Sequence, residues 1–172
     1  MPRRLVLVLV VVVAVAWLGF RTVRAFDQDR LAAEAAAVLA ASDKVSYDLP
    51  PVPAAPSRPD FGPGGRFAYR PGTWLSVVDL RGLEPAAGDE RYLVFVRNWA
   101  GWTLAGAARP APDGTAQVRS GAEPRPPTIY EVIVTRAVDD ATSIPHGQPV
   151  LQWFDASLAP PKARKFDFAL GT

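Results

Sequence analysis

Ile129-Tyr130-Glu131-Val132-Ile133-Val134-Thr135-Arg136 is the stretch on which the fold turns. Apart from Glu131 and Arg136 its residues are β-branched or aromatic, the types that suit a pleated, packed surface. Alternation with period two puts Tyr130, Val132 and Val134 on one face and Ile129, Glu131, Ile133 and Thr135 on the other. The first face predicts full burial and the second partial burial.

Working outward, runs of the same character recur at 66–70, 74–80, 91–97, 103–108, 116–120 and 150–154, which with 129–137 makes seven predicted strands. Gly, Pro and Asp turns separate them: Pro71-Gly72, Pro85 to Gly88, Trp99 to Gly101, Pro112-Asp113-Gly114, Pro124 to Pro127 and Pro145-His146-Gly147. Asp113-Gly114 predicts a hairpin. With no helical pattern between Gly64 and Asp155, the chain is expected to be mainly β, with an antiparallel β-sandwich at 64–155 and Trp74 and Trp153 in its core.

The 172 residues leave room for about one ordinary domain. The 18 prolines and 13 glycines argue against a helical bundle. The absence of cysteine excludes disulfides, thiolate zinc sites, iron–sulfur clusters and a cysteine nucleophile. A net charge of +2, spread along the chain, gives no electrostatic footprint for nucleic acid, and none is expected as a partner.

Before the sandwich the chain reads as a membrane protein. Sixteen apolar residues from Leu5 to Phe20, Val10 and Val15 among them, lie between Arg3-Arg4 and Arg21. At 1.5 Å per residue the run covers about 24 Å, short of the ~30 Å hydrocarbon core unless flanking residues snorkel. No A-x-A cleavage pattern follows, so 1–26 is expected to be an uncleaved signal anchor. The short N-terminal tail then lies in the cytoplasm and the domain outside. Residues 27–48 read as an Ala-rich helical stalk, with Asp27 as N-cap and Leu31, Ala35, Val38 and Leu39 at helical spacing. Six prolines in 49–63 predict a semi-rigid spacer. Residues 156–172 form a tail with Lys162, Arg164 and Lys165.

The order of Gly82-Leu83-Glu84-Pro85, Tyr92-Leu93-Val94-Phe95-Val96, Leu104-Ala105-Gly106-Ala107, Pro112-Asp113-Gly114-Thr115-Ala116, Tyr130 to Thr135 and Ser143 to Leu151 resembles the C-terminal, extracytoplasmic domain of anti-sigma-K factor proteins. The match covers about residues 64–154. In that family the domain is a β-sandwich outside the membrane, and a cytoplasmic N-terminal domain, often with zinc ligands, holds the sigma factor. The resemblance implies fold and location. Direct sigma-factor binding is not expected of this chain: four residues precede the membrane run, and without cysteine there is no His/Cys zinc motif.

Candidate sites are few. Trp99 and Trp102, which flank a turn, form a candidate interaction surface together with His146, and the two tryptophans suit a stacking platform for a sugar, a peptide or the interfacial zone of a bilayer. His146 is the one histidine and sits in a turn, which makes a poor metal site. The acidic pairs Asp89-Glu90 and Asp139-Asp140 lack a calcium-loop pattern, and no nucleophile elbow or phosphate loop occurs. No catalytic residue, metal or cofactor is therefore expected. The expectation is a non-enzymatic, single-pass membrane protein that acts by contact with other membrane or extracytoplasmic proteins, as an accessory subunit or, as the resemblance implies, a regulatory element related to anti-sigma factors; the alternative is a surface module that binds cell-wall glycan or another ligand.

Overall fold

A computed structural model of the chain describes residues 30–52, 62–73, 75–120, 128–138 and 142–160. The anchor with Leu5, Val10, Val15 and Phe20 lies outside them, as do Trp74, Asp139, Asp140 and residues 161–172. Among the described residues no helix is long and apolar enough to cross a membrane.

The chain divides into two compact units, Met1–Ala37 and Val38–Thr172. In the first, residues 30–37 are helical, with an i,i+4 pair of 2.8 Å between Arg30 and Glu34. In the second, residues 38–40 are helical and eight strands follow among the described residues. They are β1 (Val45–Leu49), β2 (Gly64–Tyr69), β3 (Ser76–Arg81), β4 (Arg91–Asn98), β5 (Gly101–Ala108), β6 (Ala116–Ser120), β7 (Ile129–Ala137) and β8 (Gln148–Phe154). They form two antiparallel sheets, ordered β1-β2-β3-β6 and β5-β4-β7-β8. One apolar core lies between the sheets: Leu49, Phe67, Val78, Leu80 and Val118 from the first meet Tyr92, Val94, Val96, Val132, Val134 and Leu151 from the second.

Among the described residues eight strands stand where seven are expected, and the addition is β1. Its sequence, Val45-Ser46-Tyr47-Asp48-Leu49, alternates apolar and polar residues but is short and borders the prolines that suggested a spacer. Packing decides its state: Leu49 is buried, and the Tyr47 ring stacks on Trp153 at 3.7 Å. Beyond Leu49 the chain changes sheets. Pro50 accepts a hydrogen bond from Gln152 N–H (3.1 Å), and Val52 N–H donates to Val150 (2.9 Å). A proline has no N–H to give, yet its carbonyl still pairs, so Pro50 to Val52 close the β8 edge.

Two local expectations also change. Asp113-Gly114 does make a tight turn, in which Asp113 Oδ1 accepts from Thr115 N–H (2.9 Å). It is no hairpin, because β5 and β6 lie in different sheets, and Leu83 N–H reaches across to Gly114 O (3.0 Å). In β7 the alternation slips: Arg97 pairs with Glu131 but Asn98 with Ile129, leaving Tyr130 as the extra residue of a β-bulge. Ile129 therefore joins Val132 and Val134 in the core, while Tyr130 packs with Ala159 and Leu158 instead.

Candidate interaction surface

Polar and aromatic groups converge on the outer face of the β5-β4-β7-β8 sheet. Leu93 and Phe95 of β4 and Ile133 of β7 form a small apolar cluster there, ringed by Trp102 and Leu104 of β5 and by Ala137. All three central residues are buried, so β7 is covered on both faces, and the partial exposure expected for Ile133 and Thr135 does not occur.

Next to this cluster lies an ion pair. Arg97 Nη1 donates to Glu131 Oε2 (3.2 Å), Gln152 Nε2 donates to Glu131 Oε1 (2.9 Å), and Glu131 as a residue is only 2% exposed. Both oxygens thus have donors, the condition under which a buried charge is tolerated. Burial pushes the Glu131 carboxyl above the ordinary carboxylate range, against the opposing pull of Arg97 and Gln152. The Arg97 guanidinium also lies over two rings, 5.1 Å from the Trp102 centroid and 5.6 Å from that of Tyr130.

Beyond the ion pair the sheet ends in an aromatic rim. Tyr130 meets Phe154 edge to face at 6.3 Å, and Phe154 is 42% exposed. Trp99, in the two-residue turn between β4 and β5, is 67% exposed. Its position is nonetheless fixed, because Nε1 donates to Leu158 O (3.0 Å), while Asn98 Oδ1 accepts from Ala100 N–H (2.8 Å) and shapes the turn. Asp155 holds the adjoining bend by accepting from both N–H and Oγ of Ser157.

The three residues singled out in the sequence thus take different positions. Trp102 is half-buried against the cluster and beneath Arg97. His146 is half-buried, edge-on to Phe95 at 5.8 Å, with Nδ1 2.9 Å from Ile144 O. Trp99 alone offers a largely open ring. Sequence reasoning missed Arg97, Glu131, Gln152, Tyr130 and Phe154. The one available signal was Glu131, a lone carboxylate inside an apolar strand; its partners come from β4 and β8 and depend on register.

Several other charged groups are paired. Arg136 Nη2 and Nε both donate to Glu90 Oε2 (2.6 and 2.8 Å), and Nη1 lies 3.3 Å from Glu84. The Arg136 hydrogen bonds, with help from Ala87 N–H, hold the Glu90 carboxyl below its ordinary range. Asp89, an exposed side chain, lies 3.7 Å from Arg109. A shallow groove of about 230 Å³ on the opposite sheet is lined by Asp48, Arg66, Asp79 and Arg81, with Arg66 bonded to Asp48 and Gln117 to Asp79. Among the described residues no group of three or more His, Cys, Asp or Glu side chains is placed to hold a metal ion.

Comparison of the chain with protein-family models, with curated proteins and with solved structures finds no match.

Proposed function

We propose that this chain is a single-pass membrane protein that presents a β-sandwich on the outer side of a bacterial cell membrane and acts as an accessory subunit through protein–protein contact. The observation that carries the reading is the rim at Trp99 and Phe154. Two large apolar rings stand 67% and 42% exposed, yet both are anchored, one through Leu158 O and the other through Tyr130. A fixed aromatic gains from burial in a partner without first losing much conformational freedom, which is the character of an interface hot spot. The Arg97–Glu131 pair beneath it lends rigidity to the same end of the sheet. The apolar run at 5–20 and the resemblance of 64–154 to anti-sigma-K extracytoplasmic domains support the location. A glycan platform built on two tryptophans finds less support, because Trp102 is committed to packing.

The test is mild detergent solubilisation of native membranes containing the chain with a C-terminal tag, followed by mass spectrometry of the co-purifying proteins and of the intact bait. The parent is expected to bring down integral-membrane subunits in stoichiometric amount at its full mass, and Trp99→Ala to lose them while melting at the parent's temperature. Recovery of the bait alone, or of a bait lacking its first twenty-odd residues, contradicts the reading.

A further inference from the structure

The four strands at the sheet edges are protected very unequally. β1 has five residues and runs into Pro50-Pro51. β6 has five residues and carries Arg119. β8 contains Pro149 and is covered by Pro50 to Val52. β5 has eight residues, Gly101-Trp102-Thr103-Leu104-Ala105-Gly106-Ala107-Ala108, with neither a charge nor a proline. Among the described residues it pairs with β4 and no other strand. Shortness, charge, proline and cover are the devices by which folded proteins keep strand edges from pairing. The device β5 does have, a bulge at Ala105, lies beyond the stretch 101–104, which pairs with β4 without a register shift.

The direction of its free backbone groups follows from the turn. β4 and β5 join through Trp99-Ala100, with Asn98 opposite Gly101. The residues flanking a two-residue turn exchange both hydrogen bonds, and bonded and non-bonded pairs then alternate. Asn98/Gly101 and Val96/Thr103 are therefore bonded pairs, and Arg97/Trp102 and Phe95/Leu104 are not. Trp102 and Leu104 turn their N–H and C=O away from β4, at the edge with which no other strand pairs among the described residues.

We propose that this edge pairs with a second copy of the chain, β5 to β5, antiparallel about a two-fold axis through Thr103. An antiparallel strand is complementary to itself under such an axis, so one sequence supplies both sides. In this register Trp102 of each copy exchanges bonds with Leu104 of the other, giving about four backbone hydrogen bonds that neither copy makes alone. Because Gly101 to Ala108 carries no charge, no like charges meet across the axis. The pairing also covers side chains that are now half-buried, Trp102 beside the other copy's Leu104 on the outer face. Thr103, which is exposed, faces its own counterpart as a non-bonded pair with Cα atoms about 4.5 Å apart. The interface is distinct from the Trp99 rim and does not rest on that reading.

The absence of cysteine makes the test direct, since a single introduced thiol has no partner within its own chain and a cross-link between two copies is recognised by its mass of twice the chain. The separation expected at Thr103 falls within the roughly 4.4–6.8 Å that a disulfide spans. In the full chain in detergent, Thr103→Cys is expected to give cross-linked dimer as the main species under mild oxidation, and Ser46→Cys, at an exposed site on β1, to stay monomeric. Thr103→Lys, which sets two ammonium groups at the axis, is expected to weaken dimerisation at least tenfold. Trp99→Ala is expected to leave the Thr103→Cys cross-link intact. Cross-linking no stronger at 103 than at 46 overturns the proposal, and so does a Thr103→Lys chain that dimerises like the parent.

Discussion

Glu131 is the residue whose surroundings make the sharpest prediction. Its folded carboxyl titrates above the ordinary value, so between that value and the raised one the native state holds more protons than the unfolded chain. Stability through this group therefore falls as pH rises above about 4.5. Glu90 has the opposite sign: its lowered value gives stability that is present above the ordinary range and lost on acidification. Comparing the parent with Glu131→Gln cancels the Glu90 contribution. Thermal unfolding of both from pH 4 upward should show the parent losing ground to the variant as pH rises; a constant difference would contradict the assignment. Thr135 offers a second case. Its Oγ1 is buried and has no hydrogen-bond partner, a cost that an apolar isostere removes. Thr135→Val should raise stability by about 1 kcal/mol, read as an upward shift in denaturant midpoint with unchanged slope.

At the scale of the element, β7 shows how far a pattern carries. Its composition fixed it as a strand, and alternation placed Val132 and Val134 on the core face, where they lie. The faces of Ile129 and Tyr130 came out exchanged, because a bulge inserts one residue where no turn signal warns of it. β1 was hidden for a related reason: the prolines after it suit a spacer, and what makes it a strand is Tyr47 stacking on a tryptophan over a hundred positions away. Partners so distant leave no trace in a local window. The turn before β8 did read correctly at Gly147. It has φ +80°, and a Cβ there would lie 2.4 Å from Arg136 O. Gly147→Ala should cost about 2 kcal/mol or more and lower the melting temperature by several degrees.

For the whole molecule, composition and punctuation made the mainly β, antiparallel architecture legible, while the pairing of strands into sheets was not. The candidate surface was legible only in outline. Trp99, Trp102 and His146 stand out by residue type, but which of them is open depends on Arg97 over Trp102 and Phe95 beneath His146. The central claim is that the Trp99 rim meets a membrane-bound partner outside the cell. Its most direct test is photo-cross-linking in living cells, with a photoreactive residue at position 99 and, as control, at the exposed Asp113 beyond the opposite end of β5. The account predicts one dominant adduct with an integral-membrane protein from position 99 and none from position 113. No adduct at 99, or the same adducts from both positions, would contradict it.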